Sequence, residues 1–451
     1  MYRKIEDLLG RWVEKKNRKP LVLRGARQVG KSTVVRNFCR DSGINLVEVN
    51  LERYPELETV FKSMDPQKII LAIQALPKIK FEKNNLLFFD EIQAIPIAIQ
   101  ALRYFYEDIP ELKVIAAGSL LEFVLREHNF SMPVGRIEFL NMFPMDFEEF
   151  LMAMEESVLL QRKKEVLKDL VIDPVSHSRL LELQRLYMYV GGMPEAVHTY
   201  VETKDLSTVR DVHESILETY RSDFPKYVGS RNISRVQRVF NFAAAKGGEK
   251  VKYSNIDGNE QARTLRSDLD ILSLAGVHIQ IFHSDCSGLP LAAEKDSRVF
   301  KLLFLDIGLT CCVQRLTWNA IRELSERQLI NEGKLAEQFA AQELVSLSNR
   351  NSFPELFYWL REGRSNNAEV DFVIEHQGRV LPIEVKSGKS GTLKSLNQFC
   401  IKHKPKTAVR FDLNLPSKQK IAIRDTGKKA NSEFDLLNLP LYSVASLFAE
   451  E

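Results

Sequence analysis

The 451-residue sequence predicts an α/β protein: a parallel-sheet P-loop domain, a helical lid and linker, a winged-helix domain and a C-terminal α/β domain. Three observations predict it. The stretch GARQVGKST, Gly25 to Thr33, follows a short apolar strand and precedes a segment of helical period. LLFFDE, Leu86 to Glu91, is apolar until it ends in two carboxylates, as a buried parallel strand does when its C-terminal end faces a ligand. NNAEVDFVIEHQGRVLPIEVKSG alternates apolar and charged residues on both sides of a glycine turn, the pattern of a hairpin. A chain this long exceeds one core, and the expected boundaries are 1–146, 147–230, 231–312 and 313–451.

The first motif has the form of a Walker A loop. Gly25 and Gly30 let the backbone curl until its N–H groups face phosphate oxygens, and the following helix adds partial positive charge. Lys31 then reaches the β- and γ-phosphates of ATP, Ser32 serves as a Mg²⁺ ligand, and Thr33 belongs to the same nucleotide-binding set. In LLFFDE, Asp90 fits a direct or outer-sphere Mg²⁺ ligand, and Glu91 fits the base that orients water on the γ-phosphate. Ser119, at the end of KVIAAGS, is placed to sense the γ-phosphate. GINLVEVNL supplies a further strand between the P-loop helix and LLFFDE, and an added strand separating those two is the arrangement of ATPases that use a catalytic glutamate.

Composition narrows the class. With 44% hydrophobic and 27% charged residues, the chain reads as a soluble globular protein. Its charged opening and its lack of a long apolar run predict a cytoplasmic protein with no membrane partner. Five cysteines without ligand spacing predict reduced thiols. Net charge is +3, but Lys386 to Lys429 holds 12 Lys/Arg against 2 Asp/Glu, leaving a net −7 elsewhere. That segment reads either as a solvated lysine-rich face or as a surface for DNA or another nucleic acid.

GARQVGKST, FFDEIQ, VIAAGS and VGRIEFLNMFPMDFEEFL, in this order and spacing, resemble the prokaryotic AAA-type ATPases that carry a C-terminal domain of unknown function. YMYVGGMPEAV, FLDIGL and EVDFVIEHQGRVLPIEVKSG extend the resemblance over nearly the whole chain. It implies that Arg136 is an arginine finger acting on a neighbour's nucleotide, hence a homo-oligomer. From the residues alone, Arg136 is a cation after a Pro-Gly loop. The family has Gly directly after Pro there, whereas Val134 intervenes here between Pro133 and Gly135.

The segment 147–230 is charged and helical in period, and the methionines in and just before it, Met142, Met145, Met152 and Met154, read as core filler. From Ile233, helices followed by short strands suggest a winged helix, with Ser254 as a cap of its second helix. Arg263 and Arg266, or better the stripe Arg231, Arg235 and Arg238, are its candidate DNA contacts, set against a protein-contact or scaffolding role.

In the C-terminal hairpin, strict alternation puts Val370, Phe372 and Ile374 on one face and Glu369 with Asp371 on the other. The second strand directs Leu381, Ile383 and Val385 to the core and Glu384 with Lys386 away from it. If the strands pair, Asp371, Glu384 and Lys386 converge: two carboxylates to hold Mg²⁺, and a lysine for a phosphate oxyanion or the attacking water. Glu337 and Gln398 are further candidates. Asp371, Glu384 and Lys386 match the D, E-x-K pattern of the PD-(D/E)XK nucleases, which the family's C-terminal domain resembles, so the resemblance implies a nuclease-like fold. The plain alternative is a half-exposed structural hairpin. Three functions stay open: an ATPase moving a nuclease-like half, a nucleotide-dependent interaction switch, and a DNA-binding regulator.

Overall fold

The computed structural model describes residues 1–119, 121–122, 133, 135–228, 232–322, 332–347, 350–352, 354–362, 367–425 and 430–448. Val134, Arg231 and the lysines at 428 and 429 lie outside them. The chain divides into two compact units: Met1–Phe143 with Leu274–Gly276 and Asn349–Phe353, and the remainder.

The first unit is built on five parallel strands, β1 (Leu21–Arg24), β2 (Asn45–Asn50), β3 (Asn85–Asp90), β4 (Lys113–Ala117) and β5 (Glu138–Asn141), in the order β2-β3-β4-β1-β5. Residues 86–89 of β3 are all fully buried, because a central parallel strand is covered on both faces. Phe89 meets Phe61 and Phe105 edge to face, with centroids 5.4 and 5.8 Å apart, which fastens the helices Leu57–Phe61 and Ile97–Asp108 to the sheet. The strand separating β1 from β3 is β4, while residues 45–50 form the edge strand beside β3. Propensity marks a strand but not its place in the sheet, so sequence order misdirects here.

The second unit opens with five helices, Phe147–Ala153, Ser157–Asp169, Pro174–Val190, Pro194–Thr203 and Leu206–Val228. Asp146 caps the first in a capping box with Glu149. Met142 and Met145 are buried, whereas Met152 and Met154 are half-buried. The helices Ile233–Ala245, Tyr253–Ile256 and Ala262–Leu274 follow. Ser254 lies inside the second of these, whose N-cap is Lys252, so it is not the cap.

An eight-stranded mixed sheet completes the unit: β6 (His278–Ser284), β7 (Lys295–Phe304), β8 (Leu356–Arg361), β9 (Ala368–His376), β10 (Arg379–Val385), β11 (Thr407–Asp412), β12 (Ser417–Asp425) and β13 (Ala430–Pro440), ordered β12-β13-β11-β10-β9-β8-β6-β7. The β6–β7 hairpin, expected as a wing, is thus the edge of this sheet, since β6 pairs in parallel with β8. Gln377 and Gly378, both at positive φ, make the two-residue turn of the β9–β10 hairpin.

Between Phe357 and Trp359 the β8–β9 pairing shifts: Phe357 pairs with Val373 and Trp359 with Val370, so Asp371 and Phe372 together oppose Tyr358. This β-bulge breaks strict alternation. Val370 and Val373, rather than Val370 with Phe372 and Ile374, join one apolar cluster with Trp359, Phe399 and Leu436. Asp371 and Glu384 are only 8% and 4% exposed, so this is not a half-solvated hairpin.

Candidate functional site

The loop between β1 and the helix Lys31–Asp41 places the first site. Gly25, at φ 142°, passes so close to the backbone just after β5 that an added Cβ would fall 2.2 Å from the Met142 carbonyl oxygen. Gly30, at φ 92°, caps the helix in a conformation that favours glycine. Lys31 is buried, and its Nζ donates to the carbonyl oxygens of Gly25 and Ala26 at 2.8 and 2.7 Å. Burial pushes its pKa down to about 8, against the opposing pull of Glu91 and Asp90. Thr33 is exposed on the first turn.

The end of β3 faces this loop. Asp90 Oδ1 accepts the Ser32 hydroxyl at 2.9 Å, and burial raises the Asp90 pKa. Glu91 follows in the left-handed region at φ 52°, and the Gln93 side-chain amide donates to its carboxylate. Gly118 leaves room for Gln93, since a Cβ there would lie 2.0 Å from Gln93 Oε1. Ser119 has a buried hydroxyl with no hydrogen-bond partner.

These residues fit a nucleotide and its metal. The lysine ammonium sits over backbone carbonyls at the loop mouth, a hydroxyl and a carboxylate already touch as Mg²⁺ partners do, and an orphaned hydroxyl follows the adjacent strand. Sequence reasoning missed Gln93, although FFDEIQ puts an amide two residues from the glutamate. Arg136 lies elsewhere in the unit: its Nε donates to Glu107 at 2.8 Å, and its side chain is 46% exposed.

The second constellation lies in the C-terminal sheet. Asp371 Oδ2 accepts the Val385 N–H at 2.7 Å, and Glu384 Oε1 accepts from Lys386 Nζ at 2.5 Å. Glu384 Oε2 is buried and without a hydrogen-bond partner. A residue not anticipated from the sequence enters this cluster: Lys301 of β7, 1% exposed, forms ion pairs with Glu369 and, at 3.5 Å, with Glu337. Its ammonium lies 5.0 Å from the ring centroid of Tyr358. The available signal was a lone lysine in the apolar run RVFKLLFLD, since a charge inside a buried strand needs partners. Gln398 lies on the helix Lys394–His403 with a buried Oε1 that has no hydrogen-bond partner.

Burial raises the pKa of Glu337 to about 8 and, with Asp371 adding to it, that of Glu384 to about 7. Burial also favours a neutral Lys301, but Glu337, Glu369 and Asp371 outweigh it and hold its pKa well above the usual lysine value. Among the described residues, no three His, Cys, Asp or Glu side chains are grouped to hold a metal ion.

Of the expected basic stripe, Arg231 lies outside the described residues, and the other two arginines are ion-paired. Arg235 pairs with Asp268 at 2.5 Å, and Arg238, whose side chain is 44% exposed, pairs with Asp257 at 2.8 Å. Arg263 and Arg266 are exposed. No helix among the described residues is long and apolar enough to cross a membrane.

The sheet order and the loop make the N-terminal part a parallel-sheet P-loop NTPase-like domain, and the AAA domain family model matches residues 17–151. Profiles of two domains of unknown function match residues 181–320 and 332–441. No curated protein matches the sequence. Among solved structures, the chain is similar to a Walker-type ATPase of Pyrococcus abyssi, with 16% identity over 69% of this chain and 95% of that one, at a TM-score of 0.41. It is similar to the ORC2 protein of Aeropyrum pernix, with 14% identity over 67% and 87% of the two chains, at 0.32. A third similarity is to the RuvB Holliday junction branch migration motor of Thermotoga maritima, with 15% identity over 61% and 87%, at 0.28.

Proposed function

We propose that the chain binds ATP with Mg²⁺ at residues 25–33 and hydrolyses it, and that nucleotide state is passed to the helical, winged-helix-like and nuclease-like parts expected at 147–230, 231–312 and 313–451. The observation that carries this reading is the Ser32–Asp90 hydrogen bond beside Lys31, which joins the two halves of a phosphate and metal site. Lys31 faces the β- and γ-phosphates, the loop N–H groups hold phosphate oxygens, and Ser119 meets the γ-phosphate from β4. Ser32 and Asp90 would hold Mg²⁺, which supplies neutralising charge for the phosphates. Glu91 orients the attacking water and takes its proton as the bond from the γ-phosphorus to the bridging oxygen breaks. In this reading Arg136 exchanges Glu107 for a neighbouring subunit's nucleotide, which requires a homo-oligomer.

Nucleotide titration and phosphate release test it: Lys31→Ala loses affinity, while Glu91→Gln keeps affinity and loses turnover. Normal turnover in Glu91→Gln would remove the glutamate from its role. A second reading, a nucleotide-dependent interaction switch with an inactive nuclease-like scaffold, is favoured by the position of Lys301 among the carboxylates. A DNA-binding role for the basic segment predicts salt-dependent binding without cleavage.

A further inference from the structure

Four carboxylates of this cluster, Glu337, Glu369, Asp371 and Glu384, each meet a proton donor at one oxygen. Lys301 Nζ meets Glu337 Oε2 and Glu369 Oε1, the Val385 N–H meets Asp371 Oδ2, and Lys386 Nζ meets Glu384 Oε1. Lys301 cannot readily withdraw, because its backbone is bracketed by two partners, Ile281 of β6 and Lys250. Its side chain is 1% exposed and runs beside the Tyr358 ring.

We infer that Lys301 is the resident counter-cation of this cluster, standing in the place that a divalent ion takes in a metal-dependent nuclease, and that the C-terminal half is a nuclease-like scaffold without metal-dependent phosphodiesterase chemistry. The inference rests on the nuclease-like reading of the hairpin proposed above. Mg²⁺ requires near-octahedral oxygen ligands at about 2.0–2.1 Å. An ammonium in contact with Glu337 and Glu369, with Asp371 close enough to add to its charge stabilisation, already supplies positive charge to these carboxylates and repels a second cation. The donor set therefore does not fit the ion. The orphaned Glu384 Oε2 is an oxygen that Lys301 does not serve.

Mn²⁺ titration followed by electron paramagnetic resonance tests this on the full chain carrying Asp90→Asn, which weakens metal binding at the nucleotide site. The otherwise wild-type C-terminal half should show no saturable Mn²⁺ site, and Lys301→Ala should bind Mn²⁺ more tightly by on the order of tenfold or more. Lys301→Met, which keeps the apolar stem, should gain the same site and carries the test if the alanine variant melts. A Mn²⁺ site in the parent protein that Asp371→Asn abolishes would overturn the inference, as would no gain in a folded Lys301 variant. If neither variant folds, the parent titration decides by the same criterion. Adding Asp371→Asn to Lys301→Ala separates the two layers: loss of the gained site supports the identification with a nuclease metal position. Retention of the site overturns that identification and the nuclease-like reading with it.

Discussion

The Ser32 hydroxyl donates to Asp90 Oδ1 at 2.9 Å, joining the first turn of the helix after the P-loop to the C-terminal end of β3. Asp90→Asn keeps the shape of this contact and removes the charge. Mg²⁺-dependent hydrolysis should fall by roughly 10²- to 10³-fold, the loss typical of removing one preorganised electrostatic group. Phosphate release measured across a Mg²⁺ series checks it, and an unchanged Mg²⁺ dependence would contradict the assigned role.

Gln93 and Gly118 act as a pair. Gln93→Ala frees the Glu91 carboxylate and should lower kcat by roughly 10- to 100-fold with little change in ATP affinity, since a misplaced group costs about that much. Gly118→Ala places a Cβ 2.0 Å from Gln93 Oε1 and should produce the same defect. The double variant should then be no worse than Gln93→Ala alone. Additive losses would separate the two residues.

Arg136 makes a surface ion pair with Glu107, and solvent screens such an exposed pair, so stability does not require it. Arg136→Ala should leave the melting temperature nearly unchanged while lowering turnover. Mixing Arg136→Ala with Lys31→Ala subunits should restore part of the activity. Full activity of the unmixed Arg136→Ala protein would dismiss the finger.

His278 is fully buried, and burial pushes its pKa down to about 4. Between the unfolded value near 6.5 and that folded value, the unfolded chain takes up a proton that the folded one does not, so stability falls as pH drops through this window. The slope is about 1.4 kcal/mol per pH unit for one such group. Melts at pH 7.5 and 5 should show His278→Phe losing less stability than the wild type over that interval. Parallel curves would contradict this.

The parts of the fold that were legible in the sequence depend on local pattern. Gly25, Gly30, Lys31 and Asp90 stand within a strand-turn-helix and a strand end, so spacing alone places them. The β9–β10 turn was readable from Gly378 for the same reason. What escaped depends on pairing between distant segments. The place of β4 in the sheet, the merging of β6 with β8, and the bulge opposite Tyr358 are set by partners remote in the chain. Lys301 belongs to this group: it lies 36 residues before Glu337, and only the β6–β7 edge of the sheet carries it to the cluster. Arg235 and Arg238 lie on a basic stripe in sequence, but Asp268 of a later helix and Asp257 after another pair with them.

The parallel pairing of β6 with β8 also governs how the chain can be dissected. The natural edges of the eight-stranded sheet are β12, with exposed Lys418 and Lys420, and β7, with exposed Arg298, charges that discourage pairing with another chain. A fragment starting at residue 313 would strip away β6 and β7 and leave β8, with the sequence LFYWLR, as a bare hydrophobic edge. Such a fragment should self-associate through strand addition, whereas one starting at Pro144 keeps both charged edges and should stay dispersed.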